Sequence, residues 1–366
     1  MSTEQEEWVV AHRQGRIGVL TLNRPQALNA LSLSMVRAIT AALLAWRDDE
    51  EVIAVVLRGN SREGKAVAFC AGGDLRFFHQ AALGGDARLE DFFTEEYTLN
   101  HLVHHYPKPT IALMDGIVMG GGMGLTQGAA MRIVTERSRL AMPETNVGLF
   151  PDVGGGYFLS RCPGHVGEYL ALTGQVVAAG DAIALRLADF FVPSGALPLL
   201  LQRLLEAPMD GGAEVRAAVV AGTEPAPQPA WAAQHADIDA HFGRPALDDI
   251  VASLQSDDSE WASATLATLH KRSPLMSAVA LEQVRRARTM SLADDLRMER
   301  GLVRHCFQRR PGAAGETVEG IRALVIAKDQ APQWNPARIA DVKRDEVLAF
   351  FDSPWPAHAH PLRMLT

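Results

Sequence analysis

Cysteine is scarce in this chain, with only Cys70, Cys162 and Cys306 among 366 residues. An odd and sparse set builds no disulfide framework and points to a reducing setting. Positive charge is in deficit, with 35 Lys and Arg against 43 Asp and Glu and a formal net charge of −8. Nucleic-acid binding is disfavoured on that balance. No apolar run nears the length that spans a bilayer, so membrane insertion is not expected. The opening residues MSTEQEEW are acidic and lack an apolar stretch. They read as neither a secretory signal nor an Arg-rich transit segment, and a cytoplasmic location is the expectation. What remains is ordinary globular material, 48% hydrophobic and 21% charged. At roughly 150 residues per domain the length allows about two domains.

The order of apolar runs and glycine turns argues for an α/β fold. Trp8 to His12 and Ile17 to Leu22 flank Gln14-Gly15 as a hairpin would. Met35, Ile39, Ala42, Leu43 and Trp46 recur at helical spacing. Val52 to Leu57, Ala66 to Cys70, Thr110 to Met114 and Ile133 to Thr135 read as short buried strands, and residues 75–106 as helical. Strand, glycine turn and helix repeat without a fixed sequence period. The boundaries expected are a core over 1–206, a Pro/Ala-rich excursion or linker over 207–229, and a mostly helical region over 230–366.

Several familiar chemistries fail on single residues. Gly59 to Lys65 resembles a phosphate-binding loop after a strand, but Ala66 stands where a hydroxyl must hold magnesium. Gly122-Met123-Gly124 lacks the third glycine of a dinucleotide fingerprint, since Gln127 occupies it. No Gly-x-Ser-x-Gly elbow occurs. His101, His104 and His105 share a helical face without a carboxylate or cysteine cluster to complete a metal site, so no metal is expected.

Two glycine turns and one acidic stretch carry more. Phe69-Cys70-Ala71-Gly72-Gly73-Asp74-Leu75 ends a strand at paired glycines, and Asp115-Gly116 to Gly122 does so before a helix. Glycine lets backbone N–H groups approach a ligand, and two such turns together would hold an oxyanion; two unliganded tight turns fit the same pattern. Glu144 and Asp152 stand eight positions apart in a Gly/Pro-rich apolar stretch. Desolvation there would raise their pKa toward a range useful for acid/base work, while capping a turn is the alternative role.

Taken together, these segments resemble the crotonase (enoyl-CoA hydratase/isomerase) superfamily. The matching pieces are Leu22-Asn23-Arg24-Pro25 with Ala27-Leu28-Asn29-Ala30-Leu31, then Phe69 to Leu75, Gly116 to Gly124, Pro143-Glu144 and Leu172-Thr173-Gly174. Three further stretches resemble its 3-hydroxyisobutyryl-CoA hydrolase branch: Pro143 to Gly156, Glu95-Glu96-Tyr97 with Leu99-Asn100, and Glu319 to Pro336. Superfamily hydratases carry a first catalytic glutamate just after the triple-glycine turn, where this chain has Gly124. Two-glutamate water addition is therefore disfavoured. Arg186 and Ala327 depart from the pattern, away from the expected site.

The resemblance implies a spiral of ββα units with a helical C-terminal region. It implies hydrolysis of a short branched 3-hydroxyacyl-CoA thioester, with hydration or isomerisation of an enoyl-CoA as the alternative. Gly73 and Gly121 would supply oxyanion-binding amides, and Glu144 would act as nucleophile or general base. Asp152 and Glu96 would orient the 3-hydroxyl or the water. Arg24, Ala27, Leu28, Ala71, Asp74 and Leu75 would line the CoA path. No cofactor is implied beyond the CoA of the substrate, and a homo-oligomer is compatible with the superfamily.

Overall fold

The computed structural model describes residues 7–62 and 64–366. Its strands run β1 Val9–Gln14, β2 Ile17–Leu22, β3 Ala54–Gly59, β4 Ala68–Cys70, β5 Thr110–Met114, β6 Ile117–Met119, β7 Met131–Val134, β8 Arg139–Ala141 and β9 Phe190–Phe191. The chain divides into two compact units that interleave along the sequence. The first comprises Met1–Gly73, Leu99–Leu140 and Val176–Ala230; the second comprises Asp74–Thr98, Ala141–Gln175 and Trp231–Thr366.

The first unit is built on a sheet in the order β1-β2-β3-β5-β7-β9. The expected hairpin is present, with Gln14 paired antiparallel to Ile17. Every later pairing in that sheet is parallel. Continuous apolar runs produce this arrangement, because a parallel strand covered on both faces has no solvent side for polar residues. β2 is buried throughout, as is β5. Ile17, Val19, Val56, Ile111, Leu113 and Ile133 make one core, closed by Leu200 and Leu204 of the helix Leu197–Glu206. Within the Pro/Ala-rich stretch, Gly212–Val220 is a helix whose Val215 and Val219 enter the same core. β4, β6 and β8 form a second, three-stranded sheet. β6 and β8 are three-residue strands, too short to be read as strands without their backbone pairing.

The second unit is largely helical. The expected helix over 75–106 is broken into Leu75–Gly84 and Arg88–His104, because Gly85 adopts a left-handed φ of 64° that ends the first. Phe78 meets Phe92 at 4.8 Å between ring centroids, which joins the two helices, and Phe93 meets Phe307 at 5.7 Å, which packs the second against the helix Leu292–Gln308. Serine hydroxyls start two long helices: Ser273 Oγ accepts from Met276 N–H and Ser291 Oγ from Asp294 N–H. No helix among the described residues is long and apolar enough to cross a membrane.

Candidate active site

In the first unit, β4 delivers the chain into the Gly72-Gly73 turn and β6 delivers it into Gly120-Gly121. Gly72 has φ 110° and Gly120 φ 50°, values that side-chain-bearing residues rarely adopt. A side chain on Gly72 would begin 3.8 Å from the Gly121 nitrogen, so the two turns abut. Gly122 meets the Cys70 carbonyl so closely that a Cβ would lie 2.4 Å from its oxygen. Neither the Gly73 nor the Gly121 N–H donates to an acceptor among the described residues.

The segment around Asn29 braces the first turn. Ala71 N–H donates to Leu28 O at 3.0 Å and Leu31 N–H to Gly72 O at 2.8 Å. Asn29 is fully buried; its amide nitrogen lies 3.0–3.1 Å from the carbonyls of Asn60, Ala68 and Phe69, and its Oδ1 accepts from Arg24 N–H. Arg24 itself donates to Ala30 O at 3.1 Å and lies over the Trp8 ring at 4.7 Å. Ala27, Leu28 and Ala71 are half-buried on this segment. The sequence marked Asn29 only as part of a motif. Its place as the central hydrogen-bonding side chain emerges only when three distant carbonyls are seen to converge on it.

In the second unit, Asp74 caps the helix Leu75–Gly84, accepting from Phe77 N–H, and Leu75 opens that helix. Glu96, Glu144 and Asp152 are buried there, 2%, 7% and 5% exposed. Tyr97, on the helix Arg88–His104, donates its hydroxyl to Asp152 Oδ2 at 2.8 Å. Glu96 Oε1 and Glu144 Oε2 are buried without a hydrogen-bond partner among the described residues. Burial, and then the charge of Asp152, pushes the Glu144 carboxyl well above the usual carboxylate range. Glu96 rises likewise, through burial and then the charges of Asp152 and Glu144. Asp152 is pushed up to about 6 by burial, against the opposing effect of the Tyr97 hydroxyl. Three acids with raised pKa and two oxygens without donors make a site suited to proton transfer or nucleophilic attack.

The Glu144 turn is held by residues far along the chain. Arg272 Nη1 donates to Asn146 Oδ1 at 2.7 Å, and Arg272 Nε and Nη2 both donate to Thr173 O. Thr317 Oγ1 donates to Gly148 O at 2.7 Å. The helix Glu316–Ile321 touches the turn backbone to backbone, since a Cβ on Gly320 would lie 2.4 Å from the Val147 carbonyl. Trp334 packs on Gly148, and Glu316 accepts from the Ser273 hydroxyl and from Asn335 N–H. The 316–336 segment thus forms the mould for the Glu144 turn. Tyr97, Arg272 and Thr317 carried no sequence signal for these contacts, because each acts across 55 to 169 positions.

Comparison with known proteins follows the same lines. The chain is 38% identical over 350 residues to "3-hydroxyisobutyryl-CoA hydrolase, mitochondrial" of Gallus gallus, covering 94% of this chain and 89% of that one. It is 38% identical over 357 residues to the protein of the same name in Homo sapiens, covering 96% and 90%. A solved structure described as a carnitinyl-CoA dehydratase from Mycobacterium thermoresistibile superposes with a TM-score of 0.88 at 36% identity, over 98% of this chain and 99% of that one. One described as an enoyl-CoA hydratase from Rhodobacter sphaeroides 2.4.1 gives 0.86 at 35% identity, over 95% and 98%. A family model described as enoyl-CoA hydratase/isomerase matches residues 17–351. By that match and these relatives, the chain belongs to the enoyl-CoA hydratase/isomerase family and has its crotonase-type fold.

Proposed function

We propose that the protein hydrolyses a short branched 3-hydroxyacyl-CoA thioester, of the 3-hydroxyisobutyryl-CoA kind, to the free acid and CoA. The observation that carries this is Glu144: a buried carboxyl with an oxygen that has no donor among the described residues, beside a second acid, in a chain that has Gly124 where hydratases of the family have their other glutamate. The names of the curated relatives support the same reaction and substrate.

In this reading the N–H groups of Gly73 and Gly121 receive the thioester oxygen as it becomes an oxyanion. Removing one donor of that kind costs about 3 kcal/mol of transition-state stabilisation. Glu144 attacks the carbonyl carbon, the C–S bond breaks, and the electron pair leaves on sulfur. A free thiol has a pKa of about 8.5, so the thiolate departs readily and takes up a proton afterwards. Water then hydrolyses the resulting anhydride. Alternatively Glu144 takes the proton of a water that attacks directly. Label carried into Glu144 by a single turnover in heavy-oxygen water marks the anhydride route, with water attacking the Glu144 carbonyl of the anhydride. Asp152 and Glu96 orient the 3-hydroxyl, and a buried group left unpaired by an unhydroxylated acyl chain disfavours that chain. Arg24, Ala27, Leu28, Ala71, Asp74 and Leu75 are assigned to the CoA path, and the route uses no cofactor besides the CoA of the substrate.

Release of free thiol across a panel of 3-hydroxyacyl and plain acyl thioesters tests the assignment. Preference for the hydroxylated esters is expected; no release from any ester defeats it. The second reading is hydration of an enoyl-CoA, favoured by the names of the two solved structures. Loss of the conjugated chromophore of crotonyl-CoA would mark it.

A further inference from the structure

Two buried acids outside the proposed chemistry sit directly behind Asp152. Asp295 and Glu299 lie one turn apart on the helix Leu292–Gln308, and both are fully buried. Glu299 Oε2 accepts from Gly154 N–H at 2.7 Å, and its Oε1 accepts from Gly156 N–H at 3.0 Å. Gln283 Nε2 donates to the same Oε1 at 2.9 Å and to Pro151 O at 2.6 Å. Asp295 Oδ2 accepts from Tyr157 N–H at 2.9 Å. The chain from Pro151 to Tyr157 is thus pinned on both sides of Asp152.

The pinned segment is one that would not hold its shape alone. Val153 and Gly154 have successive φ values of 58° and 86°. A β-branched residue in the left-handed region is strained and persists only where its surroundings impose it. Gly156 is required by the same contact, since a Cβ there would lie 2.4 Å from Asp295 Oδ1.

The donors are shared unequally. Glu299 receives three N–H groups, whereas Asp295 receives one, and its Oδ1 has no donor among the described residues. The two side chains stand four residues apart on one helix, the spacing at which side chains are neighbours on the same face. Three donors satisfy a carboxylate; an oxygen with none, facing a carboxylate, is the place for a proton. Burial raises both groups above the usual carboxylate range and a charge on either disfavours a charge on the other, so both are not ionised at once.

We propose that Asp295 and Glu299 form a one-proton positioning pair, with the charge on Glu299 and the proton on Asp295, that fixes Asp152 for the substrate's 3-hydroxyl. This rests on the reading of Asp152 as the hydroxyl-orienting acid. The pair touches no substrate. Its effect passes through the backbone of residues 154–157.

The test compares the full-length wild type with Glu299→Gln and Asp295→Asn. Glutamine presents one acceptor where two backbone donors need one each, so a backbone N–H is left facing an NH₂ group. Asparagine offers an acceptor to Tyr157 N–H and a donor toward Glu299, as a protonated aspartic acid does. Glu299→Gln is expected to lower kcat/KM for 3-hydroxyisobutyryl-CoA on the order of tenfold to a hundredfold, with isobutyryl-CoA little changed. Asp295→Asn is expected to stay near wild type on both esters. In the infrared, the carbonyl stretch of one buried protonated carboxylic acid is expected to vanish in Asp295→Asn and to persist in Glu299→Gln. Equal loss on both esters in Glu299→Gln makes the pair a structural support only and overturns the positioning role. An unchanged infrared band in Asp295→Asn overturns the proton assignment. Should Glu299→Gln fail to fold, Glu299→Asp keeps the charge with a shorter reach and is expected to show the same split in weaker form. A wild type that hydrolyses neither ester defeats the proposed function itself, and the positioning role with it.

Discussion

Glu144 must be ionised to attack or to take a proton, yet burial and the charge of Asp152 both hold its proton on. Substituting Glu144→Gln removes the reacting oxygen while keeping the volume. Turnover is expected to fall on the order of 10²–10⁴-fold while CoA-ester binding persists, measured by thiol release and by calorimetry. Asp152→Asn acts differently. It removes the neighbouring negative charge, so the Glu144 carboxyl falls toward its ordinary range. The acidic limb of the rate profile on propionyl-CoA is then expected to move to lower pH, while activity on hydroxylated esters drops. An acidic limb that stays in place would show that Asp152 does not tune Glu144.

At the level of elements, the 316–336 segment is the mould for the Glu144 turn. Thr317→Val keeps the shape and removes the hydrogen bond to Gly148 O. A loss of about 1 kcal/mol in stability is expected, with a fall in kcat that leaves KM nearly unchanged. Gly320→Ala forces a methyl group against the Val147 carbonyl and is expected to cost about 1–3 kcal/mol in a denaturant titration. The strands of the large sheet other than the two-residue β9 were legible in the sequence, because an apolar run such as β5 has no other stable use. The acids were legible as well: Glu144 and Asp152 stand out in a stretch otherwise made of Gly, Pro and apolar residues. The partners of those acids were not. Tyr97 reaches Asp152 across 55 positions, and Glu299 reaches Gly154 across 145, with no periodicity to announce either contact. β6 and β8 escaped for a related reason, since three-residue strands are defined by what they pair with rather than by composition.

For the molecule as a whole, burying these acids costs stability. A carboxyl whose pKa is raised on folding binds its proton more tightly in the native state. Stability therefore falls as pH rises from the unfolded value to the folded one, and is level above it. For Asp152 that window runs from 3.8 to about 6. The thermal midpoint of Asp152→Asn is expected to gain on the wild type across that window and to keep its lead above it. The lead corresponds to a free energy on the order of 2–3 kcal/mol. A lead that does not change with pH would remove the burial cost from the account. Glu96→Gln is expected to stabilise the fold in the same sense at alkaline pH, where the wild-type group is forced to ionise.

The central claim is that Glu144 breaks a CoA thioester, and one measurement addresses it directly. Free CoA released from 3-hydroxyisobutyryl-CoA is followed with the wild type and with Glu144→Gln under identical conditions. Rapid release by the wild type and near-absence of release by the variant are predicted. Equal release by both would contradict the account.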